Sequence, residues 1–475
     1  MSGMLIRTKI VATVGPASAG RKTIRRLAKA GCDVFRINFS HGTGDEHDRF
    51  VTDIRSVEAE LGQPLAIMAD LCGPKIRVGP IAGGAVLLAR GQKVAIQRKP
   101  IEGGPSRICL TLSELVDSAK KGQDILIDDG KIRLRVEKAG RRDEILCRVI
   151  EGGVLAAGKG VNLPHTKLKL SALTEKDKRD LRWIARRGEF DYVALSFVTA
   201  AGDVKALRRA LSRLSCPAQI VAKIERPQAL DHIDQIVRAA DAVMVARGDL
   251  GVEMDLPAVP VAQKRIARLC QSAAKSCIIA TQMLESMTAS PEPTRAEVSD
   301  VANAVLDHAD AVMLSGETAV GKYPVKAAEM MNEIAAAVQE YHDEIYQPMP
   351  VAGAAGTASA LASAVREVIA SEDIAAVAVF TISGRTALTF AKQRLKCPIL
   401  ALTPDRAALR RMCLYYGVEP VLAPIVTHTR QILSMANKYA RKTGMAKPGR
   451  KIVVVSGRPI GKSGTTNTLV VHEVS

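Results

Sequence analysis

Eight short apolar segments rich in β-branched residues constrain the fold more than any other feature of this sequence. Several are apolar throughout, a pattern typical of parallel strands that are buried on both faces. Segments with helical patterning, such as 20–30, 175–187 and 204–214, separate most of them. Eight strands alternating with helices predict an α/β fold with a closed (β/α)8 TIM barrel. The predicted strands are 9–14, 33–37, 65–69, 192–196, 219–222, 242–246, 277–280 and 311–314.

Two regions do not follow this alternation. Over a hundred residues separate the third and fourth strands, and 73 to about 170 shows strand and turn patterns with few helix signals. We expect an inserted all-β domain that leaves from the rim of the barrel and closes as a hinged lid. After a linker rich in Pro, Ala and Gly at 347–356, strands and helices alternate again. The predicted domains are a barrel of 1–72 and 171–345, an inserted β-barrel domain of 73–170, and a C-terminal α/β domain of 346–475.

Composition and charge exclude several classes of protein. No apolar run approaches the roughly 20 residues of a membrane helix, and the N-terminus lacks a signal-peptide pattern, so we expect a cytoplasmic protein with no membrane partner. The nine cysteines are scattered without a CxxC pair, which favours reduced thiols. A net charge of +18 suits either nucleic acid or phosphate-bearing substrates. Because basic residues are dispersed and aromatic residues make up 3%, we expect no nucleic-acid partner.

Charged residues follow the predicted strands, at the end where barrel enzymes build their sites. Glu225 and Asp249 follow successive strands, so their carboxylates can share one divalent cation, and Mg2+ prefers such ligands. Lys223 precedes Glu225 by two positions and should project to the same side, where an ammonium neutralises charge on a transferring phosphoryl group. The alternative is a structural ion pair of Lys223 with one of these carboxylates.

Other strand ends add binding groups. Arg36 brings a guanidinium that grips phosphate. The glycines of ARGDLG (246–251) allow a small carboxylate to approach the backbone at the start of a helix. The hydroxyls of Thr281 and Ser315 can hold a water, although isolated Ser and Thr are also common helix caps. Oxygen ligands come from Asn38, Ser40 and Asp70, and His41 lies in the same loop.

Six segments occur in an order that resembles the signature segments of pyruvate kinases. The resemblance spans the barrel and extends to the insertion point and the C-terminal domain. It implies transfer of the phosphoryl group of phosphoenolpyruvate to ADP in glycolysis, giving pyruvate and ATP, with Mg2+ that Mn2+ can replace. It also implies a cytoplasmic homotetramer regulated by a phosphorylated effector. The segments are FRINFSHG (35–42), MADLCGPKIR (68–77), VAKIER (221–226), MVARGDLGVE (244–253), ATQMLESM (280–287) and MLSGETAVGKYP (313–324).

The resemblance assigns roles to single residues. Lys223 would stabilise the transition state, and Glu225 and Asp249 would bind Mg2+. A water near Thr281 and Ser315 would protonate the enolate. The implied phosphoenolpyruvate site comprises Arg36, Lys223, Gly248, Asp249 and Thr281. The implied nucleotide site comprises Asn38, Ser40, His41, Arg77 and Lys176.

Two positions depart from the pattern of family members that need potassium. Those members typically carry Glu in a GPEIR segment and Thr after the aspartate of the third strand, whereas this chain has Lys75 and Leu71. This resembles the potassium-independent, bacterial-type branch, in which the lysine ammonium replaces the monovalent cation, so K+ is not expected to be required. The ammonium would meet the oxygens of Asn38, Ser40 and Asp70. The alternative is an exposed lysine on a hinge.

The segment TISGRT in the C-terminal domain resembles the effector-phosphate loop of the family. Its residues Thr381, Ser383, Gly384, Arg385 and Thr386 would form a phosphate cradle at the start of a helix, or simply a helix cap. A sugar bisphosphate, a sugar monophosphate and AMP all remain candidates. The later SGRPIGKSGTTN (456–467) lacks P-loop spacing and precedes a strand, so we expect a flexible loop that carries Arg458 and Lys462 near the cradle.

Two other functions would share part of this pattern. Another barrel enzyme acting on phosphoenolpyruvate or pyruvate, such as an aldolase or mutase, would share the acidic pair but not FRINFSHG, the insertion or the phosphate loop. A non-catalytic phosphometabolite sensor or RNA-binding protein predicts the loss of a catalytic residue. None of Arg36, Lys223, Glu225, Asp249 and Thr281 is missing.

Overall fold

The computed structural model of the chain describes residues 5–139, 143–164, 171–346, 351, 356–426, 428–459 and 464–475. The strands are β1 Lys9–Val14, β2 Cys32–Asn38, β3 Ala66–Asp70, β4 Ile76–Arg77, β5 Ala85–Leu88, β6 Lys93–Gln97, β7 Arg107–Cys109, β8 Asp124–Ile127, β9 Ile132–Lys138, β10 Glu144–Glu151, β11 Gly153–Ala156, β12 Gly160–Asn162, β13 Tyr192–Leu195, β14 Gln219–Ile224, β15 Ala242–Ala246, β16 Ser276–Ala280, β17 Ala311–Leu314, β18 Ile374–Phe380, β19 Ile399–Thr403, β20 Val418–Leu422, β21 Lys451–Gly457 and β22 Thr466–Glu473.

The α-helices are α1 Arg21–Lys29, α2 Gly44–Leu61, α3 Leu115–Ser118, α4 Glu175–Arg187, α5 Ala201–Arg213, α6 Ile233–Ala239, α7 Arg247–Glu253, α8 Ala258–Ser272, α9 Arg295–Leu306, α10 Gly316–Ala319, α11 Pro324–Ile345, α12 Thr357–Ser371, α13 Arg385–Ala391, α14 Arg406–Arg411 and α15 Thr429–Lys442. Short 3-10 helices span Pro227–His232, Glu285–Thr288 and Met412–Leu414. Within the described residues, no helix is both long enough and apolar enough to cross a bilayer.

Eight parallel strands form the predicted closed barrel, in the order β1-β17-β16-β15-β14-β13-β3-β2. Side chains alternate along each strand: Ile10 and Ala12 of β1 pack outward against the helices, while Val11 belongs to the interior. The observed end of one strand differs from the prediction, and the difference concerns Lys223. Strand β14 continues to Ile224, so Lys223 lies inside the strand rather than after it. The strand therefore fixes the backbone of this lysine.

One buried carboxylate fixes the chain on both sides of the insertion. Helix α4 begins with a capping box in which Thr174 and Asp177 exchange hydrogen bonds. The other carboxylate oxygen of Asp177 accepts the N–H of Gly73 at 3.1 Å. The exit from the barrel at Gly73 is thus tied to the helix that resumes the barrel. Gly73 has a φ of 64°, a conformation that glycine adopts without strain.

The inserted segment contains a seven-stranded sheet, in the order β4-β12-β8-β9-β10-β6-β7, and a two-stranded sheet of β11 and β5. It has its own apolar core, and α3 is its one helix within the described residues. A side-chain contact joins it to the barrel where Asn162 donates to Glu253 of α7 at 3.0 Å. The predicted boundaries at 73 and 170 stay predictions, and residues 165–170 lie outside the described part of the chain.

The C-terminal region forms a five-stranded sheet in the order β20-β19-β18-β21-β22, parallel except for β22. It packs against the end of the barrel at which the strands begin. Tyr192, at the start of β13, donates to the carbonyl of Arg411 at 2.6 Å, and the barrel interior and this sheet share one apolar cluster. Most of the predicted linker at 347–356 lies outside the described residues.

Candidate active site

The ammonium of Lys223 lies at the centre of the site, buried where the barrel strands end. It donates to the carboxylates of Glu225 at 2.8 Å and Asp70 at 3.1 Å, and to the hydroxyl of Ser196 at 2.7 Å. The expectation that Lys223 and Glu225 project to the same side is therefore confirmed. Three acceptors match the three N–H donors of an ammonium, so its direction is fixed.

Arg36 lies on the other side of Asp70. Its guanidinium contacts one carboxylate oxygen of Asp70 at 2.6 and 2.7 Å, while Lys223 uses the other oxygen. A further N–H of Arg36 donates to the hydroxyl of Thr13 at 3.0 Å. Asp70 thus holds the two cations of the site beside each other. Two adjacent cations on a rigid carboxylate form a receptor for a doubly charged anion such as a phosphoryl group.

The charges of this cluster support one another. Burial raises the pKa of Asp70, but the charges of Lys223 and Arg36 outweigh burial and hold that pKa below its ordinary value. Burial lowers the pKa of Lys223, and the carboxylates of Asp70 and Glu225 reverse this and raise it above its ordinary value. The lysine therefore stays an ammonium at neutral pH and acts as a fixed positive charge.

Glu225 and Asp249 meet the requirements for a divalent cation. They follow the paired strands β14 and β15, and burial together with the charge of Asp249 raises the pKa of Glu225. Lys223 compensates only part of the negative charge, so a divalent cation would relieve the rest. The donors are carboxylate oxygens, which Mg2+ prefers. Within the described residues, no group of three or more His, Cys, Asp or Glu forms a metal cluster, and the fit rests on these two carboxylates.

Thr281 and Ser315 directly follow the paired strands β16 and β17. The Thr281 hydroxyl accepts the N–H of Gly248 at 2.7 Å and donates to the carbonyl of Ala280 at 2.6 Å, and Thr281 has a φ of 71°. Such a left-handed conformation in a β-branched residue is strained and is typical of functional sites. The Ser315 hydroxyl is shielded and has no hydrogen-bond partner among the described residues. This hydrogen bond brings together Gly248 and Thr281, two residues of the predicted phosphoenolpyruvate site.

The predicted nucleotide residues lie on a basic rim. Burial, and then the charges of Arg77, Lys75 and Arg36, lower the pKa of His41, so these four side chains share one region. Lys176 is placed there by hydrogen bonds to the carbonyl of Phe39 at 2.6 Å and to Asp180 at 2.7 Å. The structure thus gathers positive charge where a nucleotide diphosphate is expected.

Lys75 itself is exposed at the start of the insertion. Its ammonium makes no hydrogen bond or ion pair with any residue that the structure describes, including Asn38, Ser40 and Asp70, although its backbone N–H donates to the carbonyl of Gly73 at 2.8 Å. Asn38 instead accepts the N–H of Ser40 at 3.0 Å, and the Asp70 carboxylate is engaged by Arg36 and Lys223. Leu71 is buried. The role of Lys75 as a replacement for potassium stays a prediction.

Sequence reasoning missed several residues that build the site. Ser196 and Thr13 both fall inside predicted strands, although each contacts a predicted catalytic cation. Glu317 is fully buried and accepts the backbone N–H groups of Ser315 at 2.7 Å and Leu284 at 3.0 Å, so it joins the last two strand ends. The sequence signal that could have identified these three residues is their position at or near the ends of barrel strands.

Comparisons with known proteins identify the family. The model of the pyruvate kinase barrel domain matches residues 5–328, and that of the pyruvate kinase alpha/beta domain matches 359–472. The chain belongs to the pyruvate kinase family. A pyruvate kinase of Agrobacterium vitis is 44% identical over 98% of this chain and 98% of its own length. Those of Mycobacterium tuberculosis (strain CDC 1551 / Oshkosh) and Geobacillus stearothermophilus are 40% and 41% identical over 99% of this chain, covering 99% and 80% of their own lengths. Membership supports phosphotransferase activity and argues against both rival functions.

The loop 381–386 borders a cavity of about 890 Å3. Helix α13 begins at Arg385, within the TISGRT segment that was predicted to open a helix, and the Thr381 hydroxyl accepts the N–H of Gly384 at 3.1 Å. The hydroxyls of Thr386 and Thr466 lie 2.9 Å apart, which places the C-terminal end of the 456–467 segment beside the loop. Its Lys462 lies outside the described residues. The cavity lining includes Thr381, Ser383, Arg385, Thr386, Arg458 and Asn467.

Proposed function

We propose that this chain transfers the phosphoryl group of phosphoenolpyruvate to ADP in glycolysis with the aid of Mg2+, giving pyruvate and ATP. One observation carries the proposal: the ammonium of Lys223 and the guanidinium of Arg36 flank Asp70 beside the acidic pair Glu225 and Asp249. The proximity of two cations to two candidate metal ligands supports the proposal, because phosphoryl transfer depends on such charge neutralisation.

The proposed mechanism assigns each group a physical task. Arg36 and Lys223 hold the phosphoryl oxygens, and Lys223 stabilises the charge that spreads over them as the bond to the enol oxygen breaks and the bond to ADP forms. Glu225 and Asp249 would hold Mg2+, or Mn2+ in its place, which supplies Lewis-acid charge neutralisation when bound. The enolate then takes a proton at carbon, and the hydroxyl of Ser315, which has no hydrogen-bond partner in the described part of the chain, suits the proposed water near Thr281.

A coupled assay for ADP-dependent pyruvate formation tests the proposal. Lys223→Met keeps the length of the side chain and removes its charge, so kcat should fall by about a thousandfold or more. Lys178→Met, on the exposed face of α4, is the matched control and should leave kcat unchanged. A Lys223→Met enzyme with normal kcat would contradict the role of this lysine. No pyruvate formation by the wild-type chain would contradict the function itself.

We propose further that the enzyme works without K+. The exposed ammonium of Lys75 contributes positive charge on the rim that contains His41. Turnover should be nearly the same with and without KCl at constant ionic strength. Lys75→Glu should create a potassium requirement, whereas Lys121→Glu, an exposed charge reversal elsewhere in the insertion, should not. Strong activation of the wild-type enzyme by KCl would refute this proposal.

An allosteric site for a phosphorylated metabolite is proposed at the cavity beside 381–386. Hydroxyls and a guanidinium at the start of α13 suit a phosphate group. Sugar bisphosphates, sugar monophosphates and AMP should be compared by thermal shift and by activity at low phosphoenolpyruvate. Arg385→Ala should abolish the response that one of them produces, while Arg406→Ala, an exposed control on α14, should retain it. A response that survives in Arg385→Ala would place the effector elsewhere.

The remaining proposals concern assembly and location. We expect a cytoplasmic homotetramer with no nucleic-acid or membrane partner, as the family resemblance implies. Light scattering coupled to gel filtration measures the mass directly, and a salt-dependent titration with RNA tests the absence of nucleic-acid binding. A monomeric mass or tight RNA binding at physiological salt would contradict these expectations.

A further inference from the structure

The hydroxyl of Ser196 connects the ammonium of Lys223 to the segment from which the inserted domain leaves. It accepts a hydrogen bond from Lys223 at 2.7 Å and donates its own proton to the carbonyl of Leu71 at 2.8 Å. Ser196 is buried, at 3% exposure, so water does not replace either bond. Two residues beyond Leu71, Gly73 begins the insertion. The hydroxyl is therefore a link between a reacting-site cation and the base of the proposed lid.

The packing around Gly73 makes this link rigid. A side chain at Gly73 would place its Cβ only 3.0 Å from the Cβ of Ser196 and 3.0 Å from the ring of Phe197. The backbone at Gly73 thus rests directly on the end of β13. Its N–H is held by the buried carboxylate of Asp177 at 3.1 Å. Movement at the start of the insertion would push directly on residues 196 and 197.

Phe197, the residue after Ser196, contacts a second group of the site, the carboxylate of Glu225. Phe197 has a φ of 57°, and its N–H donates to Glu225 at 2.7 Å. The end of β13 therefore contacts both Lys223 and Glu225, one through a side chain and one through the backbone. A left-handed conformation in a bulky residue is costly and persists where the surroundings require it.

The chemistry of the hydroxyl differs from that of the other two partners of Lys223. Asp70 and Glu225 neutralise the ammonium charge as they orient it, and Glu225 is also a proposed Mg2+ ligand. The hydroxyl carries no charge, so it directs the ammonium without reducing the positive field that a phosphoryl group must meet.

We infer that Ser196 is a positioning residue that aims the Lys223 ammonium at the transferring phosphoryl group and couples its orientation to the base of the inserted domain. The inference rests on the proposed role of Lys223. Because the hydrogen bond acts on a charged group that works mainly in the transition state, its loss should lower kcat more than it raises KM.

The test compares Ser196→Ala and Ser196→Cys with Ser276→Ala. Ser276 is a buried serine of β16 at the opposite end of the barrel, and its hydroxyl has no partner among the described residues, which makes it a matched control. In Ser196→Ala, kcat should fall roughly ten- to a hundredfold, with KM for phosphoenolpyruvate and ADP changed less than about threefold. The kcat of Ser196→Cys, whose thiol is a weaker hydrogen-bonding group, should lie between those of Ser196→Ala and the wild type. The kcat of Ser276→Ala should match the wild type.

Two measurements without turnover separate positioning from general damage. The affinity for Mn2+, measured by electron paramagnetic resonance, and the thermal unfolding midpoint should both stay near the wild-type values in Ser196→Ala. A kcat within about twofold of wild type would overturn the inference, as would a loss of stability or Mn2+ affinity that accounts for the fall. A normal Ser196→Ala enzyme beside an inactive Lys223→Met enzyme would refute this inference alone. An active Lys223→Met enzyme would refute the proposed role of Lys223 on which it rests, and a wild-type chain that forms no pyruvate would refute the proposed function.

Discussion

A buried triad between the barrel and the C-terminal domain offers the most quantitative prediction. Asp310, directly before β17, accepts hydrogen bonds from Lys392 at 2.5 Å and Arg394 at 3.1 Å, and all three side chains are fully buried. Asp310 also accepts the N–H of Cys277 at 2.7 Å. Two cations therefore share one carboxylate. Burial, with a contribution from Arg394, lowers the pKa of Lys392 despite the attraction of Asp310.

This surplus of positive charge predicts unequal costs for two substitutions. Asp310→Asn keeps an acceptor for Cys277 but leaves two buried cations without a counter-charge, which should lower the free energy of unfolding by about 3–5 kcal/mol. Lys392→Met removes the surplus cation and fills a similar volume, leaving Arg394 and Asp310 paired one to one. Its cost should stay within about 1 kcal/mol.

The chain contains a single tryptophan, which makes the assay direct. Trp183 in α4 packs edge-on against Phe39 and Phe190, so its fluorescence reports the unfolding of the barrel. Denaturant titrations of the variants are compared through the midpoint and slope of that transition, because a chain with several domains need not unfold in one step. Asp373→Asn, which breaks the exposed pair with Arg450, is the control and should cost less than about 1 kcal/mol.

Two outcomes would contradict this prediction. If Lys392→Met destabilises the barrel as much as Asp310→Asn, the triad does not contain a surplus charge and the electrostatic reasoning is wrong. If Asp310→Asn costs no more than the surface control, the buried cations are compensated by groups other than Asp310.

Two further predictions follow. Arg36→Lys keeps the charge but loses the planar fork that contacts both Asp70 and Thr13, so kcat/KM for phosphoenolpyruvate should fall by about a hundredfold in steady-state assays, and an unchanged value would exclude this role. Burial first, then the charges of Arg394 and His342, lower the pKa of His308 from 6.5 to about 3. The unfolded chain therefore binds more protons in this window, and the free energy of unfolding should fall by about 1.4 kcal/mol per pH unit as pH drops from 6.5 towards 3. His308→Asn, which tolerates the φ of 68° at this position, should flatten that slope in denaturant titrations, and an unchanged slope would assign it to other groups.

The sequence alone determined the barrel and the identity of its central groups. The eight apolar segments report local backbone geometry, and the C-terminal ends of parallel strands must meet on one face once the barrel closes. Lys223, Glu225 and Asp249 could therefore be placed together from the sequence, since Lys223 lies near the end of β14 and the two carboxylates follow β14 and β15. A helix opened by TISGRT was likewise predicted from local pattern, and α13 begins within that segment.

Tertiary structure decided which groups hold those residues in place. Ser196 meets Lys223 only because β13 and β14 are neighbours in a particular register, and Thr13 reaches Arg36 only across the paired strands β1 and β2. The contact of Asp310 with Lys392 joins residues 82 positions apart in two domains. Hydrophobic periodicity describes how each segment faces the core, whereas hydrogen bonds and ion pairs between distant segments depend on how those segments pack.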